Sequence, residues 1–204
     1  GGLVASFGYD DAGNVISMTD WVGVRTFDRD AGGRVRAFTT MQGKPGSYTY
    51  DAAGRLIAMT YQNLRNQTIN RTWSYDALGR LSAFNTGTGT ITYTYFGDTE
   101  QLKYKDTPDT VREAYTYDEL GRLKTQEIVG RNRLTYSYDS ASRITLIERT
   151  NLATNQTIPL HRYTYTPSGQ LASWWYLNDA WRTTYTYTPR GSLESMSRSL
   201  GSAP

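Results

Sequence analysis

The chain has 204 residues, a mass of 23.0 kDa and a formal net charge of +3 at pH 7, with its basic residues spread along the sequence. So small a charge gives only weak steering towards anionic partners and does not indicate nucleic-acid binding. The absence of cysteine excludes disulfides and thiolate metal sites, and no apolar run approaches the length that spans a membrane.

The chain begins Gly1-Gly2-Leu3, with neither a start methionine nor a signal peptide, which predicts an excised or processed piece. From Phe7 onwards the phrase Tyr-x-Tyr-Asp-x-x-Gly-Arg-Leu returns about every twenty-one residues, in three clear and six looser copies. In chain order the copies begin at Phe7, Phe27, Tyr48, Trp73, Tyr93, Tyr115, Tyr136, Tyr163 and Tyr185. A fixed period of this size is typical of a repeat architecture. We therefore expect residues 1–204 to form one array of repeats, with no second domain.

The first part of each repeat alternates aromatic and small polar residues, as in Tyr93-Thr94-Tyr95. Alternation with period two, in aromatic and β-branched residues, predicts a half-buried strand whose aromatic side chains share one face. Both aromatic positions are filled by aromatic residues in every copy except one, where Arg29 takes the second position.

The next four residues predict a turn. In Asp76-Ala77-Leu78-Gly79, aspartate first and glycine fourth suit a type I turn followed by a left-handed residue. In two copies the turn reads Thr-Pro-x-Gly, so the acceptor changes while the turn is kept. The structural turn positions are assigned to Asp10, Gly13, Asp30, Gly33, Asp51, Gly54, Asp76, Gly79, Asp118, Gly121, Asp139, Gly169 and Gly191.

An aliphatic residue follows each turn, and a large apolar residue usually comes three places later, as in Leu56 and Met59. A spacing of three does not keep both side chains on one face of a regular strand. Either a bulge near the turn glycine realigns them, or both faces of the sheet are partly buried. The residues leave both alternatives open.

Each repeat is thus predicted to be a β-hairpin, and the chain an all-β array of tandem antiparallel hairpins. Nine hairpins supply about eighteen strands, which at about 4.8 Å spacing make a sheet roughly 85 Å wide. Sheets of this width curl, because strand twist accumulates. We expect a long curved or spiral sheet, either a partial shell or hollow barrel-like wall, or an open ribbon. Its free strand edges favour self-association.

The search for chemistry gives no catalytic constellation. His161, the only histidine, has no acidic neighbour in sequence, and no Gly-x-Ser-x-Gly elbow is present. We expect no enzyme activity, no cofactor, no metal, no nucleic-acid partner and no membrane insertion. Repeated tyrosines are interpreted as packing ladders, whereas Trp174, Trp175, Tyr176 and Trp181 stand outside the usual tyrosine positions and form the candidate ligand contact.

The copies of Tyr-Asp-x-x-Gly-Arg-Leu at 50–56, 75–81 and 117–123 resemble the YD-repeat, or Rhs, family, which includes bacterial Rhs toxins, insecticidal toxin complex subunits and teneurins. The resemblance implies a spiral β-shell around cargo, from a secreted or bacterial cell-surface protein, with adjacent repeats or a cargo domain as partners. The alternative function is a carbohydrate-binding or adhesion module that uses exposed aromatic side chains.

Three features depart from the family pattern. The Asp-Pro-x-Gly motif that precedes cargo release in many family shells is absent, so no cleavage residues are transferred. Ser142 replaces a turn glycine, and Tyr95–Leu102 carries one extra residue. Distortion is expected in both turns.

Overall fold

A computed structural model describes residues 5–176 and 180–200 of the chain. Eighteen strands make up its regular structure, and the described residues contain no helix. The first nine are β1 (Ser6–Tyr9), β2 (Val15–Thr19), β3 (Val24–Arg29), β4 (Val35–Thr39), β5 (Pro45–Tyr50), β6 (Leu56–Gln62), β7 (Thr68–Tyr75), β8 (Leu81–Asn85) and β9 (Thr90–Tyr95). The others are β10 (Leu102–Asp106), β11 (Arg112–Tyr117), β12 (Leu123–Ile128), β13 (Asn132–Tyr138), β14 (Ile144–Asn151), β15 (Gln156–Tyr165), β16 (Leu171–Tyr176), β17 (Trp181–Tyr187) and β18 (Leu193–Leu200).

The chain divides into two compact units, Gly1–Tyr93 and Thr94–Pro204. In the first unit each strand from β1 to β9 pairs antiparallel with the next. In the second, the strands from β10 to β18 pair in the same way. The prediction of an all-β fold made of tandem antiparallel hairpins is confirmed, whereas a single array over 1–204 stays a prediction.

A β-bulge decides between the two alternatives for the aliphatic and apolar positions. In the third hairpin Tyr50 lies opposite Leu56 and Tyr48 opposite Met59, so the second strand carries one extra residue, Ile57. The extra residue brings Leu56 and Met59 to the same face as the two tyrosines. The same register shift occurs beside the second aromatic position of eight hairpins. We call this side of each unit the aromatic face.

The aromatic face is half-buried and does not enclose a conventional core. Among the described apolar residues Trp175 alone is buried, at 4% exposure. Elsewhere, neighbouring rings pack along the sheet: Phe38 stacks on Tyr48 at a centroid distance of 4.9 Å, and Trp73 on Phe84 at 5.1 Å. Cross-strand pairs of this kind and the backbone ladder therefore hold each unit together.

Candidate functional site

In six of the nine hairpins an aspartate closes the turn. In the turn at Asp51–Arg55, the Gly54 amide donates to the Asp51 carbonyl at 2.9 Å, and Gly54 has a φ of +81°. The Asp51 carboxylate accepts from the amides of Ala53 and Arg55 at 3.0 and 2.9 Å. Because glycine adopts this left-handed conformation without a Cβ penalty, the fourth turn position favours it.

The other assigned turn residues occupy corresponding places. An aspartate carboxylate accepts two turn amides at Asp10, Asp30, Asp76, Asp118 and Asp139. A glycine with positive φ fills the fourth position at Gly13, Gly33, Gly79, Gly121, Gly169 and Gly191. In the two Thr-Pro turns, Thr166 and Thr188 accept through Oγ1 at 3.1 and 3.2 Å.

The hydrogen bonds hold the turn carboxylates ionised. The Arg55 amide, ahead of its guanidinium, lowers the pKa of Asp51, against an opposing effect of desolvation. The pKa of Asp139 is lowered first by the Arg143 amide and then by the Arg143 side chain. A lowered carboxyl pKa in the folded state means that the ionised form stabilises the turn.

Where an arginine follows the fourth turn residue, as Arg55 does, it joins two hairpins, a role that the sequence pattern did not reveal. The Arg55 Nε donates to the carboxylate of Asp51 at 2.7 Å, while its guanidinium lies over the ring of Tyr75, 4.6 Å from the centroid. Tyr75 belongs to the following hairpin. The same stacking joins Arg34 to Tyr50, Arg122 to Tyr138, and Arg143 to Tyr165. The recurrence of arginine directly after the fourth turn residue is the feature of the sequence that could have indicated this role.

The second aromatic position makes a further contact with the preceding hairpin. The Tyr138 hydroxyl donates to the carbonyl of Leu123 at 2.7 Å, and Tyr50 makes the same bond to Val35 at 3.0 Å. Each acceptor is the aliphatic residue that follows the previous turn. Equivalent bonds join Tyr75 to Leu56, Tyr117 to Leu102, Tyr165 to Ile144, and Tyr187 to Leu171. We call this bond the hairpin link.

Arg29 shows that the hairpin link, and not the aromatic ring, is the common requirement at this position. Its guanidinium donates through Nη2 to the carbonyl of Val15 at 2.9 Å. Val15 is the aliphatic residue after the preceding turn, so Arg29 makes the hairpin link that tyrosine makes elsewhere. Nη1 also donates to the carbonyl of Gly33 at 2.7 Å. The exception in the sequence pattern thus keeps the same contact with a different donor.

Two departures from the family's turn pattern, Ser142 and the six-residue loop between β9 and β10, have different structural outcomes. Ser142 has a φ of +62° and its amide donates to the Asp139 carbonyl at 3.0 Å, so the regular turn is retained and the expected distortion there is wrong. Its hydroxyl accepts from Arg122 Nη1 at 3.1 Å. The loop between β9 and β10 instead closes from the Phe96 amide to the Gln101 carbonyl, which differs from the other turns.

A polar network interrupts the aromatic face of the second unit. Lys105 and Gln126 stand where other repeats carry a large apolar residue, and Glu113 lies between them. The Glu113 carboxylate accepts from Lys105 at 2.9 Å, from the Tyr115 hydroxyl at 2.7 Å, and from Gln126 at 3.2 Å. The Lys105 hydrogen bond, followed by that of Tyr115, lowers the pKa of Glu113, while desolvation and then Glu113 raise the pKa of Tyr115.

The tryptophan cluster divides between the two faces. Trp174 and Tyr176 surround His161 on the aromatic face, at centroid distances of 5.8 and 5.3 Å. Trp175 alternates to the opposite face, where it is buried beneath the guanidinium of Arg182 at 4.8 Å. Trp175 is therefore not available for the ligand contact assigned to it. Trp181 lies opposite Tyr176, and the guanidinium of Arg198 lies over one side of its ring, 4.7 Å from the centroid.

His161 belongs to this packing cluster. Burial lowers its pKa, and Nδ1 is buried without a hydrogen-bond partner in the described residues. The described part of the chain also contains no group of three or more His, Asp or Glu residues that could hold a metal ion. No helix in that part of the chain is long and apolar enough to cross a membrane.

Hairpins with capped turns are joined in series by a tyrosine or arginine donor and by an arginine stack. These features define a structural β-sheet built from repeats, of the YD-repeat class. The family model described as Teneurin YD-shell matches residues 6–201. The chain belongs to this family of structural shell modules. No curated protein matches the sequence.

Solved structures of a Tc holotoxin pore and of TcdB2-TccC3 share the fold. The Tc holotoxin pore of Photorhabdus luminescens, and TcdB2-TccC3 without its hypervariable C-terminal region, each align with a TM-score of 0.78 at 16% identity. A further TcdB2-TccC3 structure aligns with a TM-score of 0.70 at 18% identity. Each alignment covers 95% of this chain but 11% of the matched chain. The similarity establishes the fold of this chain. The functions of the complete assemblies belong to those proteins and are not assigned to this chain.

Proposed function

We propose that the chain is a non-enzymatic section of a YD-repeat shell that encloses or shields cargo in a bacterial secreted or cell-surface toxin-like protein. Its partners are adjacent repeats or the cargo domain of the same polypeptide. The activity is steric: a hydrogen-bonded sheet keeps proteases away from what lies behind it.

The hairpin link is the observation that carries this proposal. It recurs with tyrosine in both units and with arginine at Arg29, always to the residue that follows the preceding turn. A barrier requires that neighbouring hairpins stay together, and the link adds a side-chain bond to the backbone ladder at each of these junctions. The repeated residues are thus occupied in joining hairpins, which supports a structural role for them.

The experiment is limited proteolysis of the full polypeptide that carries this repeat block. Four linking tyrosines are changed to phenylalanine together: Tyr50, Tyr75, Tyr138 and Tyr165. The matched control changes four first-position tyrosines whose hydroxyls have no hydrogen-bond partner in the described residues: Tyr48, Tyr93, Tyr163 and Tyr185. We expect faster digestion of the cargo in the linking variant only. Equal digestion with and without the repeat block would refute shielding.

Carbohydrate binding or adhesion is the second candidate, and one observation favours it. Tyr176 and Trp181 lie directly opposite each other and remain 38% and 37% exposed, as in a small stacking platform for a sugar ring. Glycan-array binding that disappears in Trp181→Ala, but not in Trp21→Ala, would support this candidate. Trp21 is the suitable control because it is 79% exposed and lies outside the cluster.

A further inference from the structure

A cavity of ≈360 Å³ lies in the first unit among three aromatic rings and one arginine. Its rings are those of Phe27 on β3, Phe38 on β4 and Tyr48 on β5, and Arg25 lies two residues before Phe27 on the same face. Thr39 at the end of β4 and the loop residues 40–42 complete the lining. This volume is at the lower end for small-molecule sites, which suits a ligand of one ring.

Gly46 determines the arrangement of the rings. It lies opposite Phe38, and the Phe38 ring occupies the space that a side chain at Gly46 would need. Other repeats have a side chain at the corresponding position, such as Arg71, Glu113 or His161. Because Gly46 has none, Phe38 leans over it and stacks on Tyr48 at 4.9 Å and 30°. The result is an apolar surface beside Arg25.

The charge of Arg25 is not neutralised within the described residues. Its guanidinium has neither an ion pair, a hydrogen bond nor a ring contact there. By contrast Arg71, which occupies the same position two repeats later, has its guanidinium over the ring of Tyr61, 5.7 Å from the centroid. Among the acidic residues described in this unit, Asp28 alone lies within a strand, and it pairs with Arg36 on the opposite face at 2.7 Å. On the aromatic face of this unit, therefore, no carboxylate of a described strand neutralises the charge of Arg25.

We propose that this cavity binds a small aromatic carboxylate. The ring of the ligand packs against Phe27, Phe38 and Tyr48, and its carboxylate pairs with the guanidinium of Arg25. A guanidinium fits a carboxylate through two parallel hydrogen bonds, so both the charge and the planar shape of the ligand are recognised. The site is separate from the hairpin links and from the tryptophan cluster, and it adds ligand binding to a structural module.

Phenylacetate is the probe, with phenylacetamide as its uncharged counterpart, and binding is measured by amide chemical-shift titration of the intact chain. We expect saturable shifts at Gly46 and at the Arg25 side chain with phenylacetate, and binding weaker by about tenfold or more with phenylacetamide. Arg25→Ala should weaken the binding of phenylacetate by the same factor. Arg36→Ala removes a cation from the neighbouring strand on the opposite face, and should bind as the wild type does.

Three results would overturn the proposal: shifts that do not saturate at millimolar phenylacetate, equal binding of the two probes, or equal loss in both arginine variants. Gly46→Ala provides a second variant, because its Cβ would displace the Phe38 ring. A Gly46→Ala chain that keeps its amide spectrum elsewhere should lose phenylacetate binding, and retained binding would place the ligand outside this cavity.

Discussion

Removal of one hairpin link should destabilise the first unit by a measurable amount. Tyr50→Phe deletes only the hydroxyl that donates to Val35 at 3.0 Å and keeps the ring. An intramolecular hydrogen bond contributes about 0.5–1.5 kcal/mol net, and the loss is smaller where water can reach the orphaned carbonyl. Since this bond is part-buried, we expect a loss of about 1 kcal/mol in the free energy of unfolding.

Tyr48→Phe is the internal control for this measurement. Tyr48 lies two residues earlier on the same strand and face, and its hydroxyl has no hydrogen-bond partner in the described residues. We expect its unfolding free energy to stay within about 0.5 kcal/mol of the wild type. Urea denaturation followed by tryptophan fluorescence measures both variants. A loss of the same size in Tyr50→Phe and Tyr48→Phe would show that the hairpin link adds nothing beyond ring packing.

Three further outcomes follow from the turns and the polar network. Ser142→Gly should raise the free energy of unfolding by about 0.5–1 kcal/mol in thermal or urea melts, because relief of the strain at a φ of +62° outweighs the loss of the exposed hydrogen bond from Arg122; an unchanged stability would argue against strain at this turn. Glu113→Gln should cost about 1–2 kcal/mol, since it leaves the Lys105 ammonium without its charged partner, and Glu119→Gln in an exposed turn is the control. The carboxyl pKa values of Asp51 and Glu113 are lowered in the folded state, so their stabilisation is full above the ordinary values of 3.8 and 4.5 and is lost as the pH falls through the lowered values. Urea midpoints should therefore be flat from neutral pH to about pH 5 and fall below about pH 4, and Asp51→Asn should flatten that fall; a pH-independent midpoint would contradict the assignment.

Local chemistry explains why the turns could be read from the sequence. Aspartate first and glycine fourth select a type I turn with a left-handed residue, and such a preference acts within five residues of the chain. The strand pattern is also local, because alternate side chains of a strand point to the same face. Asp51, Gly54 and the tyrosines at 48 and 50 could therefore be placed before any contact between hairpins was known.

The partners across hairpins were decided by the tertiary structure. The hairpin link from Tyr138 to Leu123 depends on which carbonyl lies within reach once neighbouring hairpins pair. Trp175 and Trp174 are adjacent in sequence, yet one is buried and the other stacks in the aromatic cluster, because strand alternation sends them to opposite faces.

The repeat, the hairpin, the turn chemistry and the family resemblance could all be inferred from the sequence, since each depends on residues that are close together in the chain. Only the tertiary structure showed that Arg29 replaces tyrosine as a donor, that a bulge aligns Leu56 with Met59, and that Gly46 leaves a ring-lined cavity beside Arg25. The bulge arises where the two strands of one hairpin pair, and the other two features arise where strands from different repeats meet. The side-chain pattern of one repeat does not specify which atoms of its neighbour it will contact.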